Sequence, residues 1–124
     1  MHLHRITHSS LVATMLAVLA LSAQSAFAHA KLVSADPAPE ATVPDAAAIR
    51  LQFSEGLAKK FCSLRLTDAH GKPVSLTPAE AGDAKALAAV PAKALAPGQY
   101  TVSWTAVASD DGHRTTGRYH FTVQ

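Results

Sequence analysis

Through much of the chain after residue 47, apolar and polar residues alternate one by one. In residues 48–53, Ile49, Leu51 and Phe53 share one face and Arg50 and Gln52 the other. In 62–67, Cys62, Leu64 and Leu66 oppose Ser63, Arg65 and Thr67. In 100–107, Tyr100, Val102, Trp104 and Ala106 oppose Thr101, Ser103 and Thr105. The C-terminal residues set Tyr119, Phe121 and Val123 against Arg118, His120 and Thr122. A period of two is the mark of a strand with one face in a core and one in water. Residues 31–34, 74–76 and 87–90 carry the same signal in shorter form.

Turn chemistry separates these runs. Asp36-Pro37-Ala38-Pro39 follows the first, and Asp68-Ala69-His70-Gly71-Lys72-Pro73 has the composition of a hairpin loop. Pro97-Gly98 precedes the run that starts at Tyr100, and Asp110-Asp111-Gly112 follows it. Helix-friendly alanines occur in 79–89, but Pro78, Gly82 and Pro91 break any long helix. The pattern predicts an all-β protein: a small immunoglobulin-like Greek-key β-sandwich or barrel of about seven strands. Its core would hold Tyr100 and Trp104.

The beginning of the chain has a different character. Leu11 to Leu21 is an apolar run, preceded by Arg5 and followed by Ala26-Phe27-Ala28. It falls short of the ~20 residues that a spanning helix needs. Residues 1–28 therefore read as a cleaved signal peptide, with the mature domain at 29–124. A cut after Ala30 is the alternative. No later run is apolar enough to span a membrane, so an exported protein in a bacterial periplasm is expected. The single cysteine, Cys62, excludes an internal disulfide and a CxxC zinc site. The formal charge of +2 comes from 11 basic and 9 acidic residues spread along the chain, with no run that would suit nucleic acid.

Cleavage before His29 changes the chemistry that residue offers. Its α-amine, Cα, Cβ, Cγ and Nδ1 would close a six-membered ring on one metal ion. An α-amine has a pKa of ~7.7–8.0, so it sheds its proton easily near neutral pH. Asp111-Gly112-His113 adds a carboxylate and a second imidazole two positions apart. On extended backbone those two side chains would share a face. Together the set is three nitrogens and one oxygen, a tetragonal donor set that suits Cu(II).

Beyond these residues, HAKLVSADPAPEATV, IRLQFSEGL and LAPGQYTVSWTAVASDDGHRTTGRYHFTV follow one another in residues 29–124. In these segments the chain resembles the CopC/PcoC family of periplasmic copper-resistance proteins. The resemblance implies a small β-sandwich that binds one Cu(II) through His29, Asp111 and His113. It places the glutamate of the FSE motif, Glu55, beside the metal in a supporting role. It also implies a non-enzymatic carrier or buffer with a separate inner-membrane partner of the CopD type, and the small size and lack of a long apolar surface segment point to a monomer. Some family members bind Cu(I) in a Met- and His-rich loop. Here both methionines, Met1 and Met15, precede residue 29, so thioether donors are lacking. In the equivalent stretch, Cys62 reads as a small buried hydrophobe and His70 as an exposed loop residue. His120, on the polar face of the last strand, is a candidate to support the metal. Two other functions fit less of the sequence: an immunoglobulin-like structural module without metal, and a histidine-brace copper oxidase.

Overall fold

The computed structural model describes residues 29–124. The expected signal peptide lies outside the described residues. Nine strands and one short 3-10 turn follow in order: β1 (Leu32–Asp36), β2 (Thr42–Val43), β3 (Ile49–Phe53), the turn Lys59–Phe61, β4 (Ser63–Thr67), β5 (Pro73–Val74), β6 (Leu76–Ala79), β7 (Ala86–Pro91), β8 (Gly98–Val107) and β9 (Arg114–Val123). They form two sheets. One has the order β1-β3-β7-β6, the other β2-β9-β8-β4-β5. All pairings are antiparallel except β2 with β9.

The alternating runs become these strands for the expected reason. Ile49, Leu51 and Phe53 are buried, as are Tyr100, Val102, Ala106, Tyr119, Phe121 and Val123. Together they make one core between the sheets. Trp104 is the exception within β8, being only partly buried. Its ring packs edge-on to Phe53 at 6.2 Å and tilted against Tyr119, also at 6.2 Å. Opposite it in the register stands Gly117. A Cβ there would sit 2.2 Å from Trp104 Cζ2, so only glycine leaves room for the indole.

The strand count differs from the sequence expectation. The weak signal at 74–76 resolves into two short strands in different sheets, β5 and β6, with Ser75 as the crossing point. The two-residue β2 has no alternation long enough to read. The Asp68 loop forms the expected hairpin between β4 and β5. Asp68 Oδ1 accepts the backbone N–H groups of His70 and Lys72, both at 2.9 Å. The Lys72 N–H is the main influence holding this carboxyl below its ordinary range. Among the described residues no helix is long and apolar enough to cross a membrane.

Candidate metal centre

Three segments meet at one end of the sandwich: the residues entering β1, the connection that leaves β3, and the loop between β8 and β9. Main-chain bonds fasten them. Leu57 bridges Ala108, and Ser109 N–H donates to Gly56 O at 2.9 Å. Ala58 N–H donates to Val107 O at 2.9 Å. The loop itself is closed by Ala108 N–H to His113 O at 2.9 Å and Gly112 N–H to Ala108 O at 3.0 Å.

The segment before β1 is held by two hydroxyls. Ser54 Oγ donates to His29 O at 3.1 Å and accepts Lys31 N–H at 3.0 Å. Thr115 Oγ1 donates to Ala30 O at 2.7 Å, across 85 positions of chain. Ala30 is itself buried, so its carbonyl needs that partner. Neither hydroxyl was singled out by the sequence pattern. Thr115 did carry a signal: it occupies the inward phase of β9, where its neighbours in phase from Tyr119 on are apolar.

This anchoring brings the His29 ring against the His113 ring. Their centroids are 4.1 Å apart with the planes at 72°. Rings so placed are near enough to share one ion after small rotations. His113 is exposed and His29 half-buried, so an ion could approach from solvent.

Asp111 is placed otherwise than the extended-chain argument expects. The backbone turns at 109–111, and Gly112 takes the left-handed φ of 69°. Asp111 Oδ1 accepts His113 N–H at 2.9 Å, the short-range bond that an Asp makes in a turn. The carboxylate therefore shapes the loop that carries His113. Among the described residues, no group of three or more His, Cys, Asp or Glu side chains converges as a metal cluster. The donor chemistry still fits a copper ion. Two imidazoles are already paired, and the exposed carboxylate stands two residues from one of them.

Glu55 is half-buried in the connection after β3, between Ser54, which holds His29, and Gly56, which holds Ser109. Its neighbours in sequence thus tie both halves of the site together. Cys62 is half-buried; its thiol donates to Ala58 O at 3.4 Å, and Sγ accepts Val107 N–H at 3.3 Å. His70 lies in the β4–β5 hairpin at the opposite end of the molecule. His120 stands on the outer face of β9, its Nδ1 2.9 Å from Thr101 Oγ1. At ~3.4 Å per residue it is roughly 24 Å along the strand direction from His113.

The CopC domain family matches residues 32–124. Copper resistance protein C of Escherichia coli is 38% identical over 108 residues, covering 81% of this chain and 85% of that protein. Copper resistance protein C of Pseudomonas syringae pv. tomato is 36% identical over 131 aligned positions, covering 100% of both. Among solved structures, PcoC, a methionine-rich copper resistance protein from Escherichia coli, superposes with a TM-score of 0.73 at 38% identity. It covers 78% of this chain and 100% of its own.

Proposed function

The chain belongs to the CopC family, and from that membership we propose that it is a periplasmic Cu(II) carrier or buffer whose working form begins at His29. The ion is the cargo, one per chain. His29 would hold it through α-amine and imidazole, with His113 and Asp111 completing the set. Glu55 would balance charge beside it. The relatives named above are copper-resistance proteins, which favours homeostasis over catalysis. The periplasmic setting rests on the signal peptide read in residues 1–28. Copper would then pass to a separate inner-membrane partner of the CopD type, with the carrier acting as a monomer.

The observation that carries this reading is the His29–His113 ring pair at 4.1 Å. Two imidazoles from opposite ends of the chain meet there, and hydrogen bonds from Ser54 and Thr115 hold the N-terminal one in place. The oxidation state follows from the donors. Nitrogen and oxygen ligands suit Cu(II), whereas thioethers suit Cu(I). PcoC is methionine-rich, and this chain has no methionine after Met15.

Titration of the exported protein with Cu(II), followed by electron paramagnetic resonance, tests the reading. The expected result is one equivalent bound with a tetragonal nitrogen–oxygen spectrum, lost in His113→Ala. Failure to bind copper, or an unchanged spectrum in His113→Ala, would overturn it.

A further inference from the structure

Nine acidic residues occur in the chain, and none lies in β4, β8 or β9. These three adjacent strands form the middle of the five-stranded sheet. Their outward positions carry hydroxyls, arginines and His120, apart from Gln99 at the start of β8 and the covered Val107 at its end. The register lines them up in rows. Ser63, Thr105 and Thr116 make one row; Arg65, Ser103 and Arg118 make the next; Thr67, Thr101 and His120 make the third. Arg65 and Arg118 thus flank Ser103 from both sides, two strand spacings apart, or ~10 Å between Cα atoms.

Between them the sheet face holds a shallow depression of about 500 Å³, bordered by Ser63, Arg65, Ser103, Thr105, Thr116 and Arg118, with Trp104 and Gly117 also in its lining. No carboxylate borders it. Both arginines are exposed, and the guanidinium side chain is long enough for each to reach over the middle strand. Two like charges held this way repel each other until an anion comes between them. Guanidinium groups present paired N–H donors that match carboxylate and phosphate oxygens. The surrounding Ser and Thr hydroxyls supply further donors. The apolar part of the depression's lining is the Trp104 indole, seated over Gly117 and partly buried against the core.

We propose that this depression is a binding site for a small, multiply charged oxyanion: a di- or tricarboxylate or a polyphosphate. Arg65 and Arg118 clamp it from opposite sides, and the hydroxyls of Ser103, Thr105 and Thr116 orient it. The site lies on the same hairpin as His113 but on the sheet face, and the copper reading is not needed for it.

The test uses metal-free protein, because carboxylate ligands would otherwise compete for copper. Citrate and pyrophosphate are titrated separately at constant ionic strength, with chloride as the reference salt. Backbone and arginine side-chain NMR signals are followed. The expected result is saturable shifts centred on Ser103, Thr105, Thr116 and the two arginines with at least one of the polyanions. Arg65→Gln or Arg118→Gln should each weaken that binding by about tenfold, as loss of one charge-assisted bond implies. Both positions are exposed, so the fold should persist, and unchanged shifts elsewhere in the spectrum would confirm it. Shifts that match chloride, that rise without saturation, or that survive both substitutions would overturn the proposal.

Discussion

Along β8 and β9, pairing runs unbroken from Gly98 opposite Val123 to Val107 opposite Arg114. At the end of that hairpin the pairing stops, and within a few residues the chain reaches His113. There, loops are joined by single main-chain bonds and by the hydroxyls of Ser54 and Thr115. The hairpin takes its stability from buried area on its inner face. The metal end takes its geometry from a handful of hydrogen bonds, each worth about 1 kcal/mol net. Substitutions in the two regions should therefore separate. Changes in the hairpin and core should lower stability. Changes at the loops should alter metal binding with little loss of stability.

The largest effect should come from the core. Phe53 is 1% exposed, and Phe53→Ala should cost about 3–5 kcal/mol in a denaturant titration. Next is Gly117→Ala, whose new methyl meets the Trp104 indole; about 1–3 kcal/mol is expected from overpacking. Thr115→Val crosses the divide. It strips the buried Ala30 carbonyl of its donor, at about 1–3 kcal/mol, and loosens the segment that carries His29. Its copper affinity should fall even at temperatures where the protein stays fully folded.

Asp111→Asn is the sharpest probe of the loop. An amide oxygen can still accept His113 N–H, so stability should change by less than about 0.5 kcal/mol. On the proposed ligand set, copper affinity should nevertheless drop, because its one anionic donor is gone. If affinity stays constant, the carboxylate only shapes the loop.

A last, smaller contrast is set by pH. Tyr119 donates its hydroxyl to Pro37 O at 2.9 Å, and burial, with a lesser effect of Asp36, pushes its pKa from 10.0 up to about 12. The folded state holds this proton more tightly than the unfolded one. Its contribution to stability is thus complete below pH 10.0 and fades as pH rises toward about 12. Tyr119→Phe should remove that part of the alkaline slope in pH-dependent denaturation.

The sandwich was legible because alternation reports directly on which side of a strand is buried. Ile49, Leu51 and Phe53, or Tyr119, Phe121 and Val123, announce an inner face without any knowledge of partners. The same signal misses β2, where two residues cannot show a period. It also reads Trp104 as full core, although the ring is only partly buried where it packs over Gly117. At the metal end, the residue types were readable from His29 and the Asp-Gly-His triplet, and the His29–His113 meeting was expected. The orientation of Asp111 was not readable. Its side chain bonds to backbone two residues on because Gly112 bends the loop, a geometry that spacing alone cannot express. Ser54 and Thr115 escaped notice because their partners are carbonyls far away in sequence.

The central claim is that processing creates a ligand: the α-amine of His29 and its ring grip the same ion. Two forms of the protein decide it, one beginning at His29 and one with a single alanine placed before it. Each is titrated with Cu(II) against a competing chelator, and each loaded sample is examined by electron paramagnetic resonance. The extended form should bind at least about tenfold more weakly, equivalent to ~1.4 kcal/mol, and should show an altered nitrogen pattern. Equal affinity and an identical spectrum in the two forms would contradict the account.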